Sequence, residues 1–160
     1  MSGEYAVAKA AMVQAGIIVA DSMADHTGYI KTFSLFSSLT VHDRRIAVIA
    51  NAGYEKANAA DNIGDLEIAQ LDKETLHRLK AIIPGFVKPE PLLDLTPMAD
   101  DSAYIESVKI LLESDSVDAL LVSIIPQAGP LHTTNEEILS YEKNIAAELV
   151  KVKKKYKKPV

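Results

Sequence analysis

The sequence of 160 residues contains no cysteine. This absence excludes a disulfide scaffold, a thiolate zinc site, an iron–sulfur cluster and a cysteine nucleophile. It also fits a reducing compartment, and we expect a cytoplasmic protein. Long apolar runs are missing too, because a run such as Val117–Ile125 has about half the length that a membrane helix needs. The start of the chain lacks the basic and apolar regions of a signal peptide.

The charge is unevenly distributed along the chain. Residues 151–160 contain six lysines and no acidic residue, whereas residues 1–150 carry a net charge of −11. An acidic body argues against phosphate-backbone binding, and no aromatic stacking platform accompanies the lysines. We therefore interpret the lysines as the cationic end of a helix and expect neither a nucleic acid nor a membrane as partner. A basic patch for one of them is the alternative interpretation.

The beginning of the chain predicts a helix, a strand and a second helix. Residues 4–15 are rich in alanine and are followed by a glycine, which is typical of a helix and its end. Ile17–Ala20 is a short apolar run that predicts a strand. Ser22, with an acidic residue three positions later, predicts the start of a helix that runs to about Leu39.

A polar connector, Thr40–Arg44, is the predicted boundary between an N-terminal segment, 1–40, and a domain, 41–160. After it, predicted strands alternate with predicted helices. The expected strands are Arg45–Ala50, Leu66–Leu71 and Val117–Ile125, with an extended piece at Leu92–Leu95. The expected helices begin near Glu55, Asp72, Asp101 and Thr134. The last of these helices has a capping box and an apolar stripe from Ile138 through Tyr141 to Tyr156.

This alternation predicts an α/β fold with a doubly wound parallel sheet of the flavodoxin-like type. The run Arg45–Ala50 is continuously apolar after its arginine, as expected for a strand buried on both faces. We expect the first and third strands to be neighbours. Lys158–Pro159–Val160 resembles the entry of a further strand, so we expect a sheet truncated at its C-terminal strands.

Ligands of open α/β sheets bind outside the carboxyl ends of the strands, which directs attention to the loops that follow them. Neither a GxGxxG fingerprint nor a P-loop is present. The turn Asn51–Ala52–Gly53 opens a helix, so its backbone N–H groups are candidate anion donors. A plain tight turn explains the same residues.

The other two loops carry polar residues with two possible roles each. Asp94 and Thr96 are candidates to bind a substrate hydroxyl and a phosphate, or they cap the next turn. Gln127 lies in a Pro-rich loop that is either part of a site or a stiff connector. The adjacent carboxylates of Asp100–Asp101 could suggest a metal site, but we interpret them as negative charges that complement the dipole at a helix start. The four histidines show no metal spacing, and His132 alone lies near the predicted cleft, so no metal site is predicted.

Four stretches, taken in order, resemble the NDP-forming acyl-CoA synthetases, which are relatives of succinyl-CoA synthetase. They are QAGIIVADSMADHTGYIKTFSLFSSL, RRIAVIANAGYEKANAADNI, LEIAQLDKETLHRLKAIIPGF and LLDLTPMADDSAYIESVKILLESDSVDALLVSIIPQA. The individual motifs are modest, and their order and spacing over nearly the whole chain carry the resemblance.

The resemblance implies a function for the parent protein. This family interconverts acyl-CoA, NDP and phosphate with an acid, CoA and NTP, through acyl-phosphate and phosphohistidine intermediates. It implies that residues 1–40 are the tail of one flavodoxin-like ligase domain and that 41–160 are most of a second. The expected partners are CoA-binding and ATP-grasp domains or subunits in an oligomer, which would hold CoA, ATP or ADP, and Mg. The chain alone is expected to bind no cofactor and to be inactive.

Within this chain the resemblance implies no catalytic residue and one phosphate or acyl-phosphate site. That site would comprise Asn51, Ala52 and Gly53, with Asp94, Thr96 and Gln127 beside them. His26-Thr27-Gly28 matches part of the family's phosphohistidine motif, but it lies downstream of the expected position, inside a predicted helix.

One departure from the family leaves other functions open. After Asn51–Gly53 the family continues with Gly, Pro and Gly, whereas this chain has Tyr54, Glu55 and Lys56. An acid near an anion site weakens phosphate binding. The alternative is therefore a degenerate ligase-like domain that senses CoA esters or serves as a regulatory scaffold. An independent flavodoxin-like module is a third hypothesis, and the missing last strands count against it.

Overall fold

A computed structural model of the protein describes residues 4–39, 41–140 and 144–160. The chain forms two compact units, which divide between Ser38 and Leu39. None of the helices in the described ranges has the length and the apolar character needed to span a bilayer. The assignment of the two units to two ligase domains stays a prediction.

The N-terminal unit consists of two helices, α1 (Tyr5–Gln14) and α2 (Met23–Phe36). Ser22 caps α2 as predicted, because its side-chain oxygen accepts the backbone N–H of Asp25 at 3.0 Å. The predicted strand at Ile17–Ala20 is wrong. A strand needs a neighbouring strand for its backbone groups, and here the N–H of Ile17 bonds back to the last turn of α1 instead.

The C-terminal unit alternates strands with helices, as the sequence predicts. Its strands are β1 (Arg45–Ala50), β2 (Glu67–Ile68), β3 (Leu92–Asp94) and β4 (Ala119–Ser123), and its helices are α3 (Gly53–Asp61), α4 (Lys73–Ile82), α5 (Asp101–Glu113), α6 (Asn135–Ser140) and α7 (Ile145–Lys155).

Strand β1 is the centre of a parallel sheet. Along one edge it pairs with β4 over five residues, from Ile46↔Ala119 to Ala50↔Ser123. Its amino-terminal half also pairs with β2 and its carboxyl-terminal half with β3. The parallel α/β fold is therefore confirmed, as is the expected neighbourhood of β1 and β4. The pairing of two short strands, β2 and β3, one after the other with the same strand β1 was not expected.

The core lies between this sheet and the flanking helices. Ala47, Val48, Ile49 and Ala50 of β1 are each at most 2% exposed, which confirms a strand buried on both faces. Helix α5 contributes the largest buried helical face. Its buried residues are Tyr104, Ile105, Ser107, Val108, Ile110, Leu111 and Leu112.

The prediction of one long helix after Thr134 is wrong. Thr134 and Glu137 form the predicted capping box, in which each accepts the other's backbone N–H. However, Asn144 has an extended backbone and caps a separate helix, α7, by accepting the N–H of Ala147 at 2.9 Å. Tyr141 of the predicted stripe lies outside the described residues.

The last residues lie along β4. The carbonyl oxygen of Pro159 accepts the backbone N–H of Leu120 at 3.0 Å, and Lys158 donates to the carbonyl of Ser114 at 2.7 Å. These contacts place the end of the chain beside the edge of β4 that does not face β1.

A bidentate ion pair lies at the amino-terminal end of the sheet. The Arg45 guanidinium donates to both carboxylate oxygens of Asp118, at 2.7 and 2.8 Å, and the Arg45 backbone N–H donates to the same carboxylate at 3.0 Å. The side chain of Asp118 is only 8% exposed. The hydrogen bonds from Arg45 hold the pKa of the Asp118 carboxyl below its ordinary value.

We expect Asp118→Asn to lower stability at pH 7 and to flatten the acid limb of the stability profile. A carboxyl with a depressed pKa stabilises the fold above its unfolded pKa, about 3.9, and this contribution disappears as the pH falls through the lower folded value. Urea midpoints at pH 7 and pH 3 measure the effect. Asp65→Asn, at an exposed position, is the control. Parallel pH profiles for wild type and Asp118→Asn would contradict the prediction.

Candidate functional site

Three loops meet at the carboxyl ends of the strands. The loop after β1 bonds to the loop after β4, because Asn51 contacts Ile125. A Cβ placed on Gly53 would lie 3.4 Å from the carboxylate of Asp94, at the end of β3. Gly129, in the third loop, packs against the carbonyl of Pro97 in the second. The predicted site residues therefore lie together at the carboxyl-terminal edge of the sheet, where the strands end.

Asn51 joins β1 to the chain that follows β4. Its side-chain amide donates to the Ile125 carbonyl at 3.0 Å, and its side-chain oxygen accepts the Ile125 N–H at 2.8 Å. The residue is fully buried. Because its side chain bonds to the backbone of the neighbouring loop, Asn51 positions the edge and does not present its amide to a ligand.

The N-terminus of α3 opens directly at this edge. Ala52 is its N-cap and supplies no side-chain oxygen, so no side chain caps the first backbone N–H groups of α3. The next residue, Gly53, has no side chain to cover them. Such a helix start has the positive dipole end and the free donors that bind anions.

Asp94 and Thr96 form a tight polar turn at the end of β3. Asp94 Oδ1 accepts the Thr96 N–H at 2.8 Å, while Asp94 Oδ2 faces Gly53. Thr96 adopts a positive φ of 60°, and its hydroxyl oxygen accepts the Met98 N–H at 3.4 Å. The turn-capping role that the sequence left open is thus filled, and one carboxylate oxygen still points toward the start of α3.

The loop that carries Gln127 is tightly held. Gln127 has a positive φ of 59°, and its N–H donates to the Thr133 hydroxyl at 2.8 Å. Among the described residues, Gln127 and Thr96 are the non-glycine residues with positive φ. Backbone strain of this kind is concentrated at functional sites, and here it occurs in both loops beside α3.

We expect Gly129→Ala to disturb this loop strongly. Gly129 has a φ of +49°, and a Cβ would lie 2.7 Å from the carbonyl oxygen of Pro97. Gly64→Ala is the matched control, because Gly64 has a similar φ of +59° with open space around it. Conformational strain alone costs about 1–2 kcal/mol, and Gly129→Ala should exceed the control by at least about 1 kcal/mol in urea unfolding. Equal losses would show that Gly129 tolerates a side chain.

The sequence interpretation missed two contacts that organise the edge. The Tyr104 hydroxyl donates to the Ser123 carbonyl at 2.8 Å and lies 3.2 Å from that of Ile49, so α5 holds β1 and β4 together. Burial raises the pKa of Tyr104, which keeps this hydroxyl protonated. Asp101 accepts the backbone N–H of His132 at 3.0 Å and pairs with its Nδ1 at 2.7 Å. Tyr104 occupied an apolar helical position, which signals burial but not this bond.

The described residues contain no group of three metal-ligating side chains. Asp100 caps α5 through the N–H of Ala103 at 2.8 Å, and Asp101 is engaged with His132, which accounts for the acidic pair seen in the sequence. What the edge offers chemically is a set of backbone donors at the start of α3 beside one carboxylate.

Comparison with known proteins places this geometry in a wider context. No family model matches the chain. The chain is 27% identical over 136 residues to a trans-feruloyl-CoA synthase of an unknown prokaryotic organism, covering 82% of this chain and 19% of that protein. It is 28% identical over 134 residues to an ADP-forming acetate–CoA ligase of Archaeoglobus fulgidus, covering 80% and 18%. The chain thus spans about a fifth of the length of the curated relatives it matches.

Solved structures share the fold. An acetyl-coenzyme A synthetase of Candidatus Korarchaeum cryptofilum, solved in complex with phosphate and ADP, superposes with a TM-score of 0.79 at 24% identity over 99% of this chain and 33% of that one. A protein of Pyrococcus horikoshii gives a TM-score of 0.77 at 23% identity over 99% and 35%.

Proposed function

We propose that this chain, a relative of the NDP-forming acyl-CoA synthetases, supplies a phosphate or acyl-phosphate site to such an enzyme. The parent enzyme would interconvert acyl-CoA, NDP and phosphate with an acid, CoA and NTP, through acyl-phosphate and phosphohistidine intermediates. The observation that carries the proposal is the start of α3, which opens without a side-chain cap where three loops meet. The sequence relatives, which are named as CoA ligases, support it.

In this proposal the backbone binds the anion and the side chains hold the backbone in place. The N–H groups at the start of α3 donate to phosphoryl oxygens, and Gly53 allows those oxygens to approach. Asn51 fixes the turn by its two bonds to Ile125. Thr96 and Gln127 lie in the two neighbouring loops and border the anion.

Asp94 has a separate part in this arrangement. A bare carboxylate repels a fully ionised phosphate. Asp94 Oδ2 is therefore suited to accept a hydrogen bond from a group that carries a proton. A protonated phosphoryl oxygen and an N–H donor on a phosphorylated side chain of another domain both fit. We propose that Asp94 orients the bound group, while the backbone N–H groups neutralise its charge.

The remaining parts of the reaction belong to other regions in this proposal. CoA, ATP or ADP, and Mg are bound by the CoA-binding and ATP-grasp domains or subunits of the parent protein, which is a cytoplasmic oligomer. These groups supply the thiol, the phosphoryl donor or acceptor, and its charge neutralisation. The chain alone would therefore not catalyse acyl-CoA synthesis.

A second function is favoured by the first turn of α3. Glu55 adds a negative charge there, and the ammonium group of Lys56 pairs with Glu90 at 2.5 Å. Both features weaken an anion site. The alternative is a degenerate ligase-like domain that binds CoA esters and serves regulation.

Titration of the ¹⁵N-labelled chain with inorganic phosphate, and separately with acetyl-CoA, tests the two functions. The principal proposal expects phosphate to shift the amide signals of Gly53 and Tyr54 in a saturable way. The alternative expects acetyl-CoA to shift them without a response to phosphate. The purified chain should show no acyl-CoA synthesis, and measurable turnover would contradict the proposed division of labour. No response at residues 52–55 to either compound would contradict both functions.

A further inference from the structure

The loop after β4 is attached to the start of α5 by a single carboxylate. One oxygen of Asp101 accepts the backbone N–H of His132 at 3.0 Å, and the other lies 2.7 Å from Nδ1 of the same histidine. Asp101 is the first residue of α5 and directly follows the loop after β3. The contact, which we call the Asp101–His132 latch, therefore joins two of the three loops that meet at the edge of the sheet.

The latch is partly shielded from water. The side chain of Asp101 is 16% exposed and that of His132 is 33% exposed. Residues close to them in the chain belong to the core, since Leu131 is 1% exposed and Ala99 is 2% exposed. Shielding strengthens a hydrogen bond because the local dielectric constant is lower than that of water. The latch therefore holds the loop more firmly than an exposed ion pair would.

Carboxylates from two helices lie close to the His132 ring. Asp101 belongs to α5, and Glu137 belongs to α6 and accepts the N–H groups of Thr133 and Thr134 at 2.9 Å. The N–H groups of Thr134 and Thr133 lower the pKa of the Glu137 carboxyl, and the charge of His132 adds to this lowering. Glu137 is therefore ionised at neutral pH, and a positive charge on the ring would be attracted by both helices.

Other charged groups near Asp101 are already paired with each other. Asp101 shares a hollow of about 260 Å³ with Glu106, Lys109 and Glu148. Lys109 pairs with Glu106 at 2.6 Å, and Lys151 pairs with Glu148 at 2.6 Å. Each of these two pairs is neutral as a whole, so they add little net charge beside the latch.

The charge of the histidine decides how strong the latch is. Histidine is the side chain whose charge ordinarily changes between about pH 5 and 8. A protonated ring donates from Nδ1 to Asp101 in a charge-assisted bond, which is roughly twice as strong as a bond between neutral groups. A neutral ring keeps this bond only when its proton is on Nδ1, and it loses the attraction of the two carboxylates. The latch should therefore tighten as the pH falls through this range.

We propose that the Asp101–His132 latch is a pH-responsive device, which fixes the loop after β4 at the edge of the sheet when His132 is protonated and loosens it when His132 is neutral. Gln127 and Gly129 lie in this loop, so the latch controls how firmly the third loop of the candidate site is held. His132 is a positioning residue in this arrangement. The inference does not depend on the proposed phosphate site, because the state of the loop can be measured without a ligand.

Hydrogen exchange of the His132 backbone N–H, measured by NMR on the full chain, tests the proposal because this N–H donates to Asp101 in the latch. We expect its protection factor, which is the intrinsic exchange rate divided by the measured rate at the same pH, to be at least about threefold higher at pH 6 than at pH 8. The Ala103 N–H is the internal control, since it donates at 2.8 Å to the neighbouring carboxylate of Asp100 in a bond without a histidine. A His132 protection factor that is equal at both pH values, or an equal rise at Ala103, would overturn the proposal.

His132→Asn separates the charge from the hydrogen bond. Asparagine offers an amide N–H near the position of Nδ1 but carries no charge, so the protection factor at residue 132 should no longer depend on pH. His77→Asn is the matched control, because His77 is exposed on α4, and it should keep the wild-type dependence. Amide spectra check that both variants keep the fold, and the wild-type measurement tests the proposal even if a variant does not. A pH dependence that persists in His132→Asn would overturn the role of His132.

Discussion

Asn51→Asp is expected to destabilise the C-terminal unit by about 3 kcal/mol at pH 7, measured as the urea unfolding free energy. The substitution replaces the donor that bonds the Ile125 carbonyl with a carboxylate oxygen, at a position that is fully buried. A buried carboxylate beside a carbonyl oxygen is desolvated and repelled. One contact between the loops after β1 and β4 is lost at the same time.

The pH dependence distinguishes this cause from a packing defect. Burial raises the pKa of the new carboxyl, so its protonated form, which again carries a donor, persists to a higher pH in the folded state than in the unfolded one. The loss should therefore be smaller at pH 4 than at pH 7. Asn58→Asp is the control, because Asn58 is exposed on α3 and its side-chain oxygen accepts from Asn62, a role that aspartate keeps. A midpoint for Asn51→Asp equal to that of the control would refute the positioning role of Asn51.

Gly53→Val is expected to reduce acyl-CoA synthesis by the parent enzyme about 100-fold, the size of effect that follows loss of a positioned backbone donor. The backbone of Gly53 has no positive φ, and a Cβ meets Asp94 at an ordinary contact distance of 3.4 Å. The fold should therefore tolerate the side chain. A ligand approaching the N–H groups of α3 would meet its two methyl groups.

Measuring specific activity of the folded fraction alongside thermal stability separates the two effects. Gly85→Val is the control, since Gly85 has no positive φ and no neighbour within 4 Å of an added Cβ. We expect the control to retain activity. Normal specific activity of Gly53→Val with a large loss of stability would make this turn structural and remove the site from this loop. The same variant in the isolated chain should no longer bind phosphate.

The local elements were predictable because they depend on neighbours within about four residues. Ser22, Asp72 and Thr134 were predicted to lie at helix starts, and the side chain of each accepts the backbone N–H three positions later. The run Arg45–Ala50 was expected to be buried, and it forms the central strand. The resemblance to the NDP-forming acyl-CoA synthetases is confirmed by the sequence relatives, and the parallel α/β fold by the solved structures.

The errors occur in segments whose structure depends on hydrogen-bond partners that the hydrophobic pattern does not identify. Ile17–Ala20 has strand-like residues, but it forms no strand pairing within the residues that the structure describes. The helical stripe after Thr134 continues through Asn144, yet the Asn144 side chain caps a new helix. Asparagine competes with the helix backbone for hydrogen bonds, and periodicity does not register this competition.

Sequence alone determined the order of strands and helices from β1 to β4, the burial of β1 and the choice of three loops for a candidate site, since periodicity, caps and the rule for parallel sheets are local or general. The tertiary structure decided what each residue at that edge does. Asn51 bonds to Ile125 across 74 positions, and Tyr104 reaches Ile49 across 55. No local pattern encodes such contacts, because they exist only once parallel packing brings β1 and β4 side by side. This packing assigned Asn51 to positioning and left the start of α3 as the group open to an anion.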